Sequence, residues 1–300
     1  MVKFSSRTLC QLSVACLLAV FLLTTSIPTT TTATPAPQKM TAEEVVAKHL
    51  ESIGTAEARA ATKSHVILGT AIGTFRLGGT GSSEGGSVMA SQGNKSLIAI
   101  VYGNAEYPYE KMGFDGDTLT VGEIKPGIRS TLAKFFMAHE MPFREGLMAG
   151  TLSAAWPLLN MANMTAKLKY AGTKKIEGQK VHVLEYRPKN DTGLKTTLYF
   201  DEETFRHVRT EYEQRLTQQM PSEPSVTQAQ NEAITKLIEE YSNFKEEKGL
   251  MLPHTYKIQL SIEALNRRAL QDWVFTLTQF SFNRDLDASQ FDVRSSGKKS

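Results

Sequence analysis

Apolar and polar residues alternate with a period of two over most of the chain after residue 64, as is typical of β-strands with one buried face. The clearest case is residues 250–262, where Leu250, Leu252 and Tyr256 lie on one face and polar residues on the other. The alternation predicts strands at residues 65–77, 87–92, 96–102, 109–114, 118–123, 167–172, 180–186, 194–200, 206–212 and 250–262, and a last strand around Trp273.

Three strand segments carry additional information. Residues 234–241 fit a helix by the spacing of their apolar side chains, but the strands around them favour a strand, which we expect. Residues 97–101 are apolar on both faces, so we expect packed elements on each side of this strand. In the last strand the apolar phase shifts by one residue between Leu277 and Phe280, which predicts a β-bulge.

The period changes to that of a helix at two places. Thr41 to Glu44 form a capping box, which predicts the start of an amphipathic helix that ends at Gly54 and is followed by a short Ala-rich helix. In residues 128–166, Ser130 is a candidate N-cap for a further helix, and apolar residues at near-helical spacing after Pro142 predict another one. Pro157 would kink or end the helix after Pro142. We therefore expect a helical insertion at 128–166 within the sheet.

The helical insertion is unusually apolar. No residue from 146 to 166 is charged, and five of the eleven methionines fall in the insertion. Methionine fills gaps in ordinary cores and also suits surfaces that adapt to variable apolar ligands, so both interpretations remain open. The candidate ligand-binding residues, as lid or cavity lining, are Leu132, Phe135, Phe136, Met137, Leu147, Met148, Leu152 and Trp156.

The N-terminus has the three-part layout of a secretory signal peptide. Lys3 and Arg7 precede an apolar run, and a Thr/Pro/Ala-rich stretch follows it to Ala36. We expect residues 1–36 to be a cleaved signal peptide and residues 37–300 a single exported domain; an uncleaved membrane anchor at the N-terminus is the alternative. Within the domain, residues 214–230 are rich in Gln, Ser and Pro and predict a mobile loop.

Composition excludes several classes of function. The only cysteines, Cys10 and Cys16, lie in the signal region, so we expect no disulfide, thiolate metal site or cysteine nucleophile in the mature chain. Cleavage at residue 36 removes two of the 34 basic residues and none of the 31 acidic ones, which leaves a net charge near +1. Such a balance gives no electrostatic case for nucleic acid. We expect a monomer.

The motifs associated with catalysis do not have the context that catalysis needs. Residues 81–85 match G-x-S-x-G around Ser83, but no helix pattern follows, and a Gly-rich hairpin turn at 78–86 is the favoured interpretation. His139 and Glu140 begin like a zinc helix motif, but Phe143 stands where the second histidine is needed. Gly146 and Gly150 suggest tight helix packing. We therefore predict no enzyme activity, no metal and no cofactor.

A dozen or so antiparallel strands in sequential order, with one N-terminal helix and one helical insertion, predict an α+β fold in which a strongly curved sheet wraps around helices. Four turn sequences add a resemblance. The segments at 176–178, 198–205, 249–254 and 282–291 are similar to those of the lipoprotein-localisation carrier (LolA/LolB-like) superfamily, which includes outer-membrane lipoprotein-sorting proteins.

The resemblance implies an unclosed half-barrel of about 11–12 strands, with helices plugging its mouth. It also implies a periplasmic carrier that holds an acyl chain, a lipid or an acylated polypeptide in an apolar cavity, or, with an uncleaved N-terminus, one anchored to the inner membrane. The alternative is an envelope-stress sensor or protein-interaction module of the same fold, which binds an envelope partner protein and no lipid. The functional arginine of the family is not fixed by any motif among Arg76, Arg129 and Arg144.

Overall fold

The computed structural model describes residues 40–76, 79–190, 192–217, 232–264 and 267–294. The predicted signal peptide lies outside these residues, as does the part of the predicted loop from residue 218 to residue 230. Helix α1 (Ala42–Ile53) begins at Thr41 with the predicted capping box and ends at Gly54, and the Ala-rich helix α2 (Ala56–Ala61) follows.

Twelve strands form one antiparallel sheet within the described residues. They are β1 (Ser64–Arg76), β2 (Thr80–Gln92), β3 (Lys95–Tyr102), β4 (Tyr109–Phe114), β5 (Leu119–Val121), β6 (Lys167–Ile176), β7 (Gln179–Arg187), β8 (Lys195–Asp201), β9 (His207–Thr217), β10 (Glu232–Glu247), β11 (Leu250–Ala264) and β12 (Arg267–Phe282). The mainly β, α+β prediction and the strand number are confirmed.

The sheet is not closed. Its order is β5-β4-β3-β2-β1-β12-β11-β10-β9-β8-β7-β6, so β5 and β6 form the two margins and each pairs with one described strand only. The two halves of the chain meet at the centre, where β1 pairs with β12 over most of its length. The chain that links one margin to the other is the predicted helical insertion.

The insertion contains less α-helix than the sequence predicts. Helices α3 (Thr131–Ala138, capped by Ser130) and α4 (Met141–Arg144) are followed by two 3-10 helices at Gly150–Leu152 and Pro157–Asn163. The close approach to the sheet expected at Gly150 is present, since an added Cβ would lie 2.7 Å from Nδ1 of His207, but the predicted helix after Pro142 is wrong beyond Arg144. The reason is backbone conformation: Gly146, Ala149 and Gly150 have φ values of 70°, 66° and 49°, which an α-helix cannot contain. We call residues 131–164 the plug.

The remaining strand predictions have mixed outcomes. Residues 234–241 lie in β10, as expected, and the predicted bulge is present, because Leu68 pairs with Gln279 while Gly69 pairs with Leu277. The predicted turn at 78–86 is wrong from residue 80 onward, where β2 begins, and residues 214–217 belong to β9 instead of a loop. Glycine is compatible with a strand, and pairing with the long β1 extends β2 across this Gly-rich segment.

The core lies on one face of the sheet, which we call the inner face. Helix α1 contacts β6 and β11 there, and the plug contributes buried apolar side chains to the same cluster. On the outer face a third 3-10 helix (Ala288–Phe291) packs on β3 and β4 and buries Phe291. This helix covers only part of β3, since Val101 is 54% exposed, so the expectation that both faces of this strand are covered holds only in part.

Candidate functional site

Seven of the eight candidate residues of the insertion are buried beneath or within the plug. Leu132, Phe135, Phe136, Leu147, Met148, Leu152 and Trp156 all belong to the core cluster. Met137 lies apart from them, because it occupies the outward side of α3 and is 51% exposed. Their role toward a ligand stays a prediction, and in this conformation the seven buried side chains contact protein.

The packing among these residues is tight. The rings of Phe136 and Phe143 meet edge to face with centroids 4.9 Å apart, and Phe135 contacts Phe136 in the same way at 5.4 Å. A cavity of about 10 Å³ lies between Met148, Leu152 and the inner side of β2 and β3. This volume is about that of one water molecule, so this part of the interior is filled by the plug.

A buried carboxyl group holds the middle of the plug on the sheet. Glu239 of β10 is fully buried, and its Oε1 accepts hydrogen bonds from the backbone N–H of Ala149 (2.8 Å) and the hydroxyl of Tyr256 (2.6 Å). Its Oε2 accepts from the hydroxyl of Tyr212 at 2.8 Å. Burial raises the pKa of Glu239, and the three donors act in the opposite direction. The carboxyl group thus fixes the turn in which Ala149 has a positive φ.

Two buried histidines lie beside this turn. His49 of α1 accepts a hydrogen bond at Nε2 from the indole N–H of Trp156, while its Nδ1 lies 3.0 Å from the carbonyl of Phe205 and donates to it. The ring of His207 stacks on Trp156 at 4.7 Å and hydrogen-bonds to Thr210. Burial lowers the pKa of His49 to about 4 and also lowers the pKa of His207 well below its ordinary value, so both rings are neutral near pH 7.

A second buried carboxyl group lies at the start of the plug. Glu110 of β4 accepts hydrogen bonds from the hydroxyl of Tyr107 and from the hydroxyl of Ser130, the latter at 2.7 Å. Ser130 also accepts from the N–H of Ala133 as the N-cap of α3, so Glu110 positions the residue directly before the plug. Burial raises the pKa of Glu110 to about 7.

A groove opens at the end of β7 and β8, beside the α3–α4 corner of the plug. One cavity of about 660 Å³ is lined by the ends of these strands and by Pro188. A second, of about 340 Å³, lies on the plug side of Pro188 and reaches Met141 and Glu145. The hydroxyl of Tyr186, in the first cavity, donates to Oε2 of Glu145, in the second, at 2.8 Å. This bond ties the plug to β7.

The polar bonds that hold the plug were missed by sequence reasoning. Leu237, Glu239 and Tyr241 follow one another at every second position of β10, so the alternation placed a carboxyl group on an apolar face. That carboxyl group was the available signal. The pairing of His49 with Trp156 joins residues 107 positions apart, and no local pattern indicates it.

Ser83 and His139, from the two motifs associated with catalysis, both lie within the described residues. Ser83 lies in β2, and its hydroxyl accepts from the side chain of Asn104 at 3.3 Å. His139 caps the end of α3 and packs on Phe135. Across the described ranges, no three His, Cys, Asp or Glu side chains are grouped so as to hold a metal ion. Of the helices in those ranges, none combines the length and apolar character of a membrane span.

Each arginine considered for the family's functional role forms an ion pair. Arg76 pairs with Asp272, Arg129 with Glu123 at 2.6 Å, and Arg144 with Glu140 at 2.9 Å. These contacts do not single out one of the three.

Comparison with known proteins gives similarity of structure, at low sequence identity. No protein-family model and no curated protein matches the sequence. A LolA superfamily protein from Nitrosomonas europaea is 16% identical with a TM-score of 0.48, over 84% of this chain and 98% of that one. A DUF1329 family protein from Desulfovibrio piger is 11% identical with a TM-score of 0.42, over 83% and 96%.

An outer membrane lipoprotein-sorting protein domain from Vibrio parahaemolyticus is also similar. It is 12% identical with a TM-score of 0.41, over 83% of this chain and 97% of that one. The resemblance predicted from the turn sequences is confirmed at this level, and at these identities it concerns the fold alone.

Proposed function

We propose that this protein is an exported carrier that holds an acyl chain, a lipid or an acylated polypeptide against the inner face of its sheet, after the plug has moved aside. The sheet then acts as a strongly curved half-barrel, and the plug as the cover of its mouth. The seven buried candidates, from Leu132 to Trp156, would line the apolar cavity in the loaded state, with Met137 at its rim.

One observation carries this proposal: the interior of the sheet is filled by a segment that pairs with none of the described strands. The plug enters the core through apolar side chains, and its backbone is fixed to strands by single hydrogen bonds such as Ala149 to Glu239 and Ala154 to Ser91 (2.8 Å). A segment held in this way can leave without breaking a strand ladder. The apolar surface it exposes would favour an acyl chain at about 0.8 kcal/mol for each buried CH₂ group.

The site of action follows from the N-terminus. A cleaved signal peptide places the mature chain outside the cytoplasm, where an acyl chain must be shielded from water during transfer between membranes. The mature N-terminus is expected between residues 33 and 39. An intact mass that retains residues 1–30 would instead favour the anchored form.

Titration with a fluorescent fatty-acid probe tests the proposal. The parent protein is expected to bind the probe, and Met148→Gln, inside the plug, to weaken binding several-fold. Val101→Gln is the control, because a polar residue at this exposed position on the outer face of β3 leaves the interior intact. Native mass spectrometry of protein from its own envelope should show a co-purifying lipid. No probe binding and no lipid would refute the carrier.

The filled interior also favours a second candidate. If the interior never opens beyond the cavity of about 10 Å³ beside Met148, it has no room for a lipid. The plug is then a permanent part of the core, and the same fold serves as a protein-interaction module. Truncation of Phe136, Met148 or Trp156 would then cost about 2–5 kcal/mol of stability each, as for packed side chains, with no probe binding by the parent. Thermal melts beside the probe titrations separate the two functions.

A further inference from the structure

The groove beside Pro188 has the size and composition of a ligand site. Its larger cavity, about 660 Å³, lies within the range of small-molecule sites, and the smaller cavity continues it toward the plug. Both lie at the same end of the sheet, where β7 turns into β8. This groove is therefore a place where a ligand can be held before the plug has moved.

The floor of the groove belongs to the core. Tyr186 and Leu194 line the larger cavity and are also members of the buried apolar cluster that the plug completes. An acyl chain that follows these two side chains inward meets the hydrogen bond from Tyr186 to Glu145, which joins β7 to the end of α4. The groove thus lies in direct contact with the interior, separated from it by a bond to the plug.

The rim of the groove is positively charged. Glu185 and Arg187 neutralise each other through an ion pair of 2.7 Å. The two other charged residues that line the larger cavity are Lys189 and Lys195, and their side chains form no ion pair or hydrogen bond with any residue of the described ranges. Two uncompensated ammonium groups therefore stand above an apolar floor, an arrangement that favours a molecule with a negative head and an apolar tail.

We propose that this groove is the first contact site of the cargo and that it selects single-chain amphiphiles with an anionic headgroup. Lys189 and Lys195 hold the headgroup, and the chain lies along Tyr186 and Leu194 toward the plug. The inference rests on the proposed carrier function. It adds a chemical class of ligand and a direction of loading.

The test compares dodecyl phosphate with the uncharged dodecyl maltoside by isothermal titration, both below their micelle concentrations. We expect the parent protein to bind dodecyl phosphate about ten-fold more tightly, a difference that shrinks as salt is added. In the double variant Lys189→Gln/Lys195→Gln, dodecyl phosphate should lose this advantage while dodecyl maltoside binds as before. The matched control is Lys174→Gln/Lys175→Gln, at the β6–β7 turn, the other end of β7 from the groove.

The outcomes separate this inference from the function it rests on. If the parent binds neither amphiphile, the carrier function fails. If it binds both equally, or if the groove variant behaves like the control, the carrier stands and the anionic selectivity is wrong. If inorganic phosphate alone binds as tightly as dodecyl phosphate, the groove binds anions and the alkyl chain contributes nothing to the affinity, which also overturns the inference.

Discussion

The indole N–H of Trp156 donates a hydrogen bond to Nε2 of His49 over 3.2 Å, and so joins the plug to the N-terminal helix. The bond needs the neutral tautomer of His49 in which Nδ1 carries the proton and donates to Phe205. Both residues are buried, so neither partner can turn to water when the other is lost. The contribution of this hydrogen bond to stability can be measured as the coupling energy between Trp156 and His49.

A double-mutant cycle with His49→Phe and Trp156→Phe should give a coupling energy of about 0.5–3 kcal/mol. Each single variant leaves one buried polar group without its partner, and the double variant removes both. The free energy of unfolding from urea titrations provides the measurement. Additive losses would show that the hydrogen bond contributes nothing.

Acid should weaken the fold through His49. The unfolded chain takes up a proton at this ring below its ordinary pKa of 6.5, whereas burial lowers the pKa in the folded state to about 4. The stability this ring contributes is fully present above pH 6.5 and is lost as pH falls toward 4, by about 1.4 kcal/mol per pH unit.

His49→Gln isolates this effect, because an amide can keep both hydrogen bonds and does not titrate. The difference in unfolding free energy between the variant and the parent should be constant above pH 6.5 and should grow in favour of the variant below it. A difference that stays constant down to pH 4.5 would contradict the lowered pKa of His49.

Glu110 should act in the opposite direction. In the folded state the pKa of Glu110 is raised from 4.5 to about 7. Between pH 4.5 and pH 7 the folded protein therefore keeps a proton on this carboxyl group that the unfolded chain has released. Stability therefore falls as pH rises from 4.5 to 7. Glu110→Gln does not titrate and so lacks this loss of stability. Its free energy of unfolding, relative to that of the parent, should rise by roughly 3 kcal/mol between pH 4.5 and pH 7. Glu84→Gln, at an exposed carboxylate of β2, is the matched control.

Removal of the Glu239 carboxyl group should loosen the plug. Glu239→Ala leaves the N–H of Ala149 and two tyrosine hydroxyls without their acceptor, at a cost of about 3–5 kcal/mol. Hydrogen exchange of the amides from 147 to 153 should rise with it. Glu240→Ala is the control on the outer face, where the ion pair with Arg209 is partly exposed and about 1 kcal/mol or less is expected. If hydrogen exchange in the plug were unchanged in Glu239→Ala, Glu239 would not be a residue that holds the plug on the sheet.

Gly150 should not tolerate a side chain. Its φ of 49° disfavours other residues, and an added Cβ would lie 2.7 Å from Nδ1 of His207 and 3.1 Å from Tyr241. Gly150→Ala should lower the unfolding free energy by about 1–3 kcal/mol. Gly86→Ala, where a Cβ would meet open space, should change it by less than about 0.5 kcal/mol. Equal thermal melts for the two variants would contradict this packing.

The sequence predicts the sheet better than it predicts the plug, for a physical reason. A strand with one buried face shows alternation, and this signal led to the strands and to the bulge beside Leu277, while the local motif from Thr41 to Glu44 led to the start of α1. The plug is buried on most sides, so its apolar spacing does not distinguish a helix from turns. Positive φ at Ala149 is a property of tertiary packing, because alanine gives no local signal for it.

The polar bonds were predictable only in part. A glutamate between Leu237 and Tyr241 in a strand pattern indicates a buried carboxyl group, but its three donors come from β9, β11 and the plug. Partners so distant along the chain are assembled by the fold. The candidate residues of the plug were predicted as one apolar group, and all but Met137 do lie together in the core.

The order of the strands makes the plug a mechanical link. β5 and β6 are the free margins of the sheet, and the chain between Val121 and Lys167 is tethered to one margin at each end. Spreading these margins breaks no strand pairing among the described residues, but it moves apart the two strand ends that carry the plug. We therefore expect that whatever wedges the margins apart also pulls on the bonds at Glu239 and His49, so that the sheet widens and the plug lifts together.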